Sequence, residues 1–310
     1  MPTPLLVQNH SRNFREFQYV YPVFSRRSAG LSIGLNLSPT ARCNFACAYC
    51  QVLGDLNLPL ERVLAEGDRR KEVSPLIGVP QLETELRSLI KMIRDGSFFE
   101  GNCENNGGNN GGNNNFASIP SERRAIRDIA FSGDGEPTLS PQFPEVVQRA
   151  IAVRRELCED ATKIVLITNG TRLCAAPIRE ALRTMLENNG EIWAKLDAGT
   201  PEHYERVARS AVPYEDVLAS LTDGAKELPL VIQSCFLALY GQGPSNEEIR
   251  QYTGRLQKIL DAGGQIQRVQ VYTVARHTPE PWATSLEPDY LNAIAETVRQ
   301  ATGLLVGAYH

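Results

Sequence analysis

Apolar residues recur with two different periods along this chain. Short runs of apolar and β-branched residues predict strands, whereas longer stretches with apolar residues three or four positions apart predict amphipathic helices. In residues 79–96, Leu82, Leu86 and Leu89 fall on one helical face, and Gly96 ends the pattern. The predicted strands are 31–37, 126–133, 163–170, 191–199, 228–236, 268–275 and 304–309, and the predicted helices are 79–96, 141–157, 176–187, 201–209, 214–226, 246–263 and 287–303.

Strands and helices alternate through six repeats, which predicts parallel strands joined by helical crossovers. Because such crossovers are right-handed, the series should curl into a partial (β/α)6 TIM-like barrel, an α/β fold, and residues 304–309 would add a seventh strand. We expect residues 25–310 to form this domain after an N-terminal extension, residues 1–24. Functional side chains of such barrels gather at the carboxyl ends of the strands.

Two segments depart from this pattern. Residues 100–116 are mostly asparagine and glycine, which cannot bury apolar surface, so a disordered insertion is predicted there. The first 30 residues mix aromatic and basic side chains. They fit either a strand or cap that packs its aromatics on the barrel, or a surface for phosphate and stacked bases. The first is favoured because four arginines make a weak electrostatic footprint. The residues concerned are Arg12, Arg15, Arg26 and Arg27, among Phe14, Phe17, Tyr19, Tyr21 and Phe24.

Composition narrows the class of protein. Hydrophobic residues make up 42% of the 310 residues and charged residues 22%, which is typical of a globular chain with a sizeable core. A net charge of −4 does not indicate a general binder of nucleic acids or membrane surfaces, although it leaves room for local contact with one RNA. We find neither a signal-peptide pattern nor a run of about 18 apolar residues, and we therefore expect a cytoplasmic protein without membrane contact.

Three of the seven cysteines, Cys43, Cys47 and Cys50, are clustered in "ARCNFACAYCQ" after the first predicted strand. Thiolates bind zinc, copper(I) and iron–sulfur clusters. A closed zinc site needs four ligands, yet no second cysteine pair is present, and His10 and His203 lie far away in sequence. In a 4Fe–4S cubane, three cysteines would hold three irons and leave the fourth open to a small molecule. The other cysteines are dispersed and are interpreted as incidental or small apolar residues: Cys103, Cys158, Cys174 and Cys235.

The spacing Cys-x-x-x-Cys-x-x-Cys, with the aromatic Tyr49 before the last cysteine, resembles the signature of radical S-adenosylmethionine (radical SAM) enzymes. The resemblance implies that Cys43, Cys47 and Cys50 bind one 4Fe–4S cluster and that S-adenosylmethionine binds its open iron, with Tyr49 near the adenine. One electron would then cleave this cofactor to a 5′-deoxyadenosyl radical, which abstracts hydrogen from a substrate. From the residues alone, a zinc-binding interaction protein and three unrelated cysteines remain as alternatives.

Two further segments are similar to cofactor-binding motifs of that family. "FSGDGEPTL" resembles a Gly-Gly-Glu motif that meets the amino group of S-adenosylmethionine, with an aspartate where a glycine is common. "ITNGT" resembles the segment near the ribose and carboxylate. The alternative for "FSGDGEPTL" is an ordinary turn between a strand and a helix, without a role in cofactor binding. The residues that the resemblance implies in cofactor binding are Gly133, Asp134, Gly135, Glu136, Thr168 and Asn169.

Polar side chains also end the fourth and fifth predicted strands. Lys195 and Asp197 are two positions apart and therefore share one face, which makes an ion pair between them the expected arrangement. A lysine with a lowered pKa that forms a Schiff base with a carbonyl substrate is the less favoured alternative. We assign Lys195 and Asp197 as candidate catalytic residues, and Gln233 as a candidate cofactor-binding residue, because pockets of barrels are lined from the strand ends.

The segments "SRRSAGLSIGLNLSPTARCNFACAYCQV" and "WAKLDAGT" resemble the branch of the family that includes wyosine-base-forming enzymes. The resemblance implies an RNA base, in tRNA, as one candidate substrate; a small metabolite or a peptide is the other. Members of the wyosine type carry a second cluster on N-terminal cysteines, and no cysteine precedes Cys43, so we expect one cluster. The chemistry also implies an external one-electron donor such as flavodoxin or ferredoxin.

Overall fold

The computed structural model of the protein describes residues 14–52, 76–100, 116–210 and 212–310. Within them, ten strands and seven α-helices alternate along the chain. The strands are β1 (Val20–Ser25), β2 (Gly30–Leu35), β3 (Ile126–Phe131), β4 (Lys163–Thr168), β5 (Gly190–Lys195), β6 (Leu230–Cys235), β7 (Ala238–Leu239), β8 (Ile266–Tyr272), β9 (Ala283–Thr284) and β10 (Val306–Tyr309). The helices are α1 (Val79–Asp95), α2 (Phe143–Leu157), α3 (Ala176–Leu186), α4 (Pro201–Val207), α5 (Tyr214–Glu227), α6 (Asn246–Asp261) and α7 (Pro288–Thr302).

Eight strands form one sheet in the order β1-β2-β3-β4-β5-β6-β8-β10. All neighbours from β2 to β10 are parallel, and only β1 runs antiparallel, as the first arm of a hairpin with β2. The predicted partial (β/α)6 barrel is therefore confirmed, and β10 is its predicted seventh strand. The N-terminal extension, predicted as residues 1–24, supplies most of β1 to this sheet. The predicted Asn/Gly-rich insertion lies almost wholly outside the described residues.

Successive side chains of each strand point to opposite faces of the sheet, and the two faces pack against different groups of residues. Apolar side chains such as Ile192 and Ala194 of β5 point outward and are covered by helices, where they belong to the main core. Inward-facing Trp193 instead belongs to a small inner cluster with Ala130 and Val165. Packing of inward side chains from several strands shows that the sheet curls around an interior.

A group of charged side chains lies near the amino ends of the strands. Glu191 of β5 accepts hydrogen bonds from Lys163 Nζ at 2.5 Å, from Arg268 NH2 at 2.5 Å and from Trp193 Nε1 at 2.8 Å. Burial alone would raise the pKa of Glu191, but these donors lower it to about 2. The carboxylate thus ties β4, β5 and β8 together at the end of the barrel opposite the expected site.

Several features lie outside the predicted pattern. β1 lies within the first 30 residues, where a strand or cap was the favoured interpretation. The small antiparallel pair of β7 and β9 had no prediction, because two-residue strands leave no readable alternation. The predicted strand 126–133 ends at Phe131, since Gly133 adopts φ 151° and turns the chain away from the sheet. Within the described ranges, every helix is too short or too polar to span a bilayer.

Candidate functional site

The cysteine loop, residues 36–52, follows β2 at the carboxyl end of the sheet. Its backbone is fixed by hydrogen bonds to the end of α4, from Ala46 N to Ala208 O at 3.0 Å and from Ala48 N to Val207 O at 2.8 Å. These two backbone hydrogen bonds pair residues 46–48 of the cysteine loop with residues 207–208 at the end of α4. The loop is therefore held in one conformation before any ligand binds.

Arg209 is a second anchor of the cysteine loop. It lies at φ 47°, a left-handed conformation that a non-glycine residue adopts only where its surroundings impose it. Its Nε donates to Ala46 O at 2.7 Å, and its NH1 pairs with Glu280 at 2.6 Å. Ser210 Oγ next to it donates to Asn44 O at 2.8 Å. With the bond from Ala46 N to Ala208 O, three hydrogen bonds thus hold the backbone between Cys43 and Cys47.

The three cysteines of this loop are half-buried and lie near enough to influence one another. Burial and the charge of Cys50 raise the pKa of the Cys47 thiol, and burial and the charge of Glu136 raise that of Cys43 to about 12. Such thiols hold their protons at neutral pH, and a metal that replaces those protons would supply the missing positive charge.

The arrangement of the thiols also bears on the kind of metal. In the described residues, no three His, Cys, Asp or Glu side chains are grouped closely enough to hold a single metal ion. A cubane needs a wider arrangement, because each of its cysteines binds a different iron. Three thiol donors on one anchored loop provide the ligand chemistry that an iron–sulfur cluster takes from a protein.

Glycines bring the loop after β3 against the cysteine loop. A Cβ on Gly133 would lie 2.6 Å from Asn36 Oδ1, and a Cβ on Gly135 would lie 2.0 Å from the carbonyl oxygen of Arg42. Asp134 between them accepts a hydrogen bond from Asn36 Nδ2 at 2.6 Å. Both glycines are required because any side chain would collide with neighbouring backbone or a buried amide.

Glu136 joins three strand ends through its buried carboxylate, which is 3% exposed. Oε1 accepts hydrogen bonds from Thr138 N, Thr138 Oγ1 and Thr168 Oγ1 at 3.1, 2.6 and 2.7 Å, and Oε2 accepts one from Asn169 N at 2.7 Å. Its own backbone N–H donates to Arg42 O at 2.9 Å. Because these donors occupy the carboxylate, Glu136 and Thr168 position the site in this structure instead of presenting free polar atoms.

Asn169 connects the end of β4 to the first cysteine. Its Nδ2 donates to Asn44 Oδ1 at 2.5 Å and lies 3.9 Å from Cys43 Sγ, while its Oδ1 accepts from Thr171. The predicted site residues after β3 and β4 are thus brought together with Cys43, although about 90 to 130 residues separate them in sequence. Their assigned roles in cofactor binding stay predictions.

Lys195 and Asp197 form the ion pair that their spacing predicts, with Nζ and Oδ1 2.9 Å apart. Tyr49 donates to Asp197 Oδ2 at 2.5 Å, and Lys195 Nζ donates to the hydroxyl of Tyr272. Burial alone would lower the pKa of Lys195, but the charge of Asp197 and the contact with Tyr272 raise it above its usual value. The lysine therefore keeps its proton, which disfavours a Schiff base in this state.

Gln233 lies beside Lys195 in the register of β5 and β6 and is 1% exposed. Its Nε2 donates to Gln270 Oε1 at 3.1 Å, and Gln270 Nε2 has no acceptor among the described residues. The pair is buried below Lys195 in the barrel interior. In this structure Gln233 is a polar support of the interior, and its role toward a cofactor is untested.

Solved structures of other proteins share this architecture. A radical SAM methyltransferase from Sphaerobacter thermophilus superposes with a TM-score of 0.55 at 13% identity, over 94% of this chain and 68% of the other. TYW1 with a bound lysine–pyruvate adduct gives 0.51 at 14% identity, over 88% and 74%. SuiB from Streptococcus suis, bound to S-adenosylmethionine, gives 0.55 at 12% identity, over 91% of this chain and 51% of the other.

The chain has the fold of the radical SAM enzymes. The resemblance drawn from the cysteine spacing is therefore confirmed at the level of the fold. The sequence itself matches no protein-family model and no curated protein. At identities of 12 to 14%, the likeness to the radical SAM fold does not by itself transfer a reaction or a substrate.

Two residues of the site in this radical SAM fold were missed by sequence reasoning. Asn44 lies inside the cysteine motif, and Arg209 follows α4. For Asn44, its place between the cysteines was the available signal. Arg209 carried no signal, because its contacts depend on the path of a loop that begins more than 160 residues earlier.

Proposed function

We propose that this protein is a radical SAM enzyme that binds one 4Fe–4S cluster through Cys43, Cys47 and Cys50 and cleaves S-adenosylmethionine reductively. The observation that carries the proposal is the position of these thiols: one anchored loop after the first parallel strand of a radical SAM fold. When bound, the cluster would supply an electron to S-adenosylmethionine and so start radical chemistry.

Residues of the chain have separate tasks in this proposal. On cluster binding the three thiols would release their protons to solvent, and the resulting thiolates would hold three irons. Gly133 and Gly135 let the loop after β3 pack closely against the cysteine loop, and Asn169 orients the loop beside Cys43.

Tyr49 lies between Asp197 and the cysteines, where its ring covers Lys195 at 5.2 Å. We infer that the Lys195–Asp197 pair fixes Tyr49 and keeps a protonated cation next to the bound cofactor. The buried surroundings of the pair keep water away from it.

The substrate of the proposed enzyme is of one of two classes. An RNA base is supported by the resemblance of the sequence to the wyosine-forming branch. A small metabolite or peptide is the alternative, and neighbours in fold include a methyltransferase and SuiB bound to a precursor peptide. Salt-sensitive retention of tRNA by the purified protein would support the RNA base, and its absence the alternative.

The proposed cluster and reaction are tested on protein reconstituted without oxygen. We expect iron and sulfide in equal amounts, and 5′-deoxyadenosine release from S-adenosylmethionine with dithionite or with reduced flavodoxin or ferredoxin. Cys47→Ala should abolish cluster and cleavage, because one iron loses its ligand, whereas the control Cys174→Ala, whose Sγ contacts Ser220 O, should retain both. A colourless protein with one bound zinc would refute the proposal.

A further inference from the structure

A pocket of about 170 Å³ opens beside the cysteine loop. Residues from both edges of the sheet line it: Val23 to Arg27 from β1 and its turn, and Tyr309 from β10. Tyr49 and Gln51 close it on the side of the cysteines. The pocket therefore lies where a substrate could reach the proposed radical centre.

The charged side chains among the described residues that line this pocket are all arginines: Arg26, Arg27 and Arg276. The other polar side chains that line it are Ser25, Tyr49, Gln51, Tyr272, Thr273 and Tyr309. A pocket with cations and no balancing acid attracts an anion.

Arg27 is fixed by aromatic rings. Its guanidinium lies 5.7 Å from the ring centre of Trp193 and 5.0 Å from that of Tyr272. Asp128 is the acid near Arg27: burial raises the pKa of Asp128, and the positive charge of Arg27 acts in the opposite direction. Ser32 Oγ donates to Asp128 Oδ1. Stacking holds Arg27 in place and leaves its N–H donors unused.

Arg26 next to it has no carboxylate or hydrogen-bond acceptor for its guanidinium in the parts of the chain that the structure describes. Burial and the positive charge of Arg27 lower the pKa of Arg26. Burial likewise lowers the pKa of Arg276 to about 10, and its NH1 donates to Gln51 Oε1 at 3.2 Å. Arg26 is half-buried and has no carboxylate partner among the described residues, and a bound anion would offset the free-energy cost of burying its charge.

We propose that Arg26 and Arg27, with Arg276 opposite, bind an oxyanion of the substrate, a phosphate or a carboxylate, beside the cysteine loop. Guanidinium groups bind such oxyanions in bidentate fashion. This inference rests on the proposed function only where it assigns the bound anion to the substrate of the radical reaction. It restricts both candidate substrate classes, an RNA base and a small metabolite or peptide, to molecules with an anionic group that reaches the pocket.

The test is titration calorimetry of the full chain, with and without reconstituted cluster, using inorganic phosphate or acetate at constant ionic strength. We expect one site per chain, and Arg26→Gln to weaken binding by about tenfold or more, the loss of a charged hydrogen bond. The exposed Arg155→Gln is the matched control and should bind as the wild type does. Preference for phosphate indicates a phosphorylated substrate, and preference for acetate a carboxylate.

Arg26→Gln decides the test even if Arg27→Gln fails to fold, because Arg26 makes no ring contact in the structure. Absence of binding for both anions, or equal binding by wild type and Arg26→Gln, would overturn the pocket assignment. Cleavage of S-adenosylmethionine by the same preparations reports separately on the proposed function. Anion binding without cleavage would refute the proposed function but support the anion site. Cleavage without anion binding would support the proposed function but refute the anion site.

Discussion

Replacing Glu136 by glutamine tests whether its carboxylate organises the site. The charged group accepts four hydrogen bonds, three at Oε1 and one at Oε2, and is almost completely buried. Glutamine keeps one acceptor oxygen for Thr138 and Thr168. Its amide nitrogen then faces the backbone N–H of Asn169, so that donor loses its partner and two donors oppose each other.

The cost of Glu136→Gln follows from this geometry. A buried donor without an acceptor costs about 1–3 kcal/mol, and loss of the negative charge weakens the three bonds that remain. Part of this is offset because a neutral amide is easier to bury than a carboxylate. We expect the free energy of unfolding to fall by about 2 kcal/mol.

Urea unfolding at pH 7, followed by far-UV circular dichroism, measures this change. The exposed Glu205→Gln on α4 is the matched control and should stay within about 0.5 kcal/mol of the wild type. A Glu136→Gln protein as stable as that control would show that the carboxylate does not hold Thr168 and Asn169, and the positioning role would have to be abandoned.

Three further changes probe other parts of the structure. Arg209→Met removes the bonds to Ala46 O and Glu280 and should therefore lower the iron content after reconstitution. The control Arg206→Met, at an exposed position, should leave the iron content unchanged, and equal iron in the two variants would contradict the anchoring role of Arg209. Glu191→Gln should lower the free energy of unfolding at pH 7. The difference from the wild type should shrink as pH falls from about 4.5 towards 2, because Glu191 with its lowered pKa stabilises the fold only while its carboxyl is ionised. A difference in urea unfolding that does not change with pH would refute this. Gly135→Ala should lower the free energy of unfolding by about 1–3 kcal/mol, because the new Cβ collides with Arg42 O. Gly254→Ala in α6, where the space around the Cβ is open, should raise the free energy of unfolding by about 0.5–1 kcal/mol. Thermal unfolding compares the two variants, and a Gly135→Ala protein as stable as the wild type would contradict the close approach of the two loops.

The order of elements was readable from the sequence because hydrophobic periodicity is a local property. Alternation with period two marks β2 to β6, β8 and β10, and period 3.6 marks the helices between them. The Lys195–Asp197 pair was readable for the same reason, since two residues on one strand share a face whatever surrounds them. The cysteine spacing within one loop is local as well.

Contacts across the barrel depended on the tertiary structure. Glu136 meets Asn169, and Arg209 meets Ala46, only because strand curvature and loop paths bring distant segments to one end of the sheet. The weak electrostatic footprint of the N-terminal arginines favoured a strand or cap that packs its aromatics on the barrel, whereas the place of Arg26 and Arg27 at a pocket depended on the tertiary structure. Their pocket exists because the two edges of an open, curled sheet approach each other, and no local pattern encodes that approach.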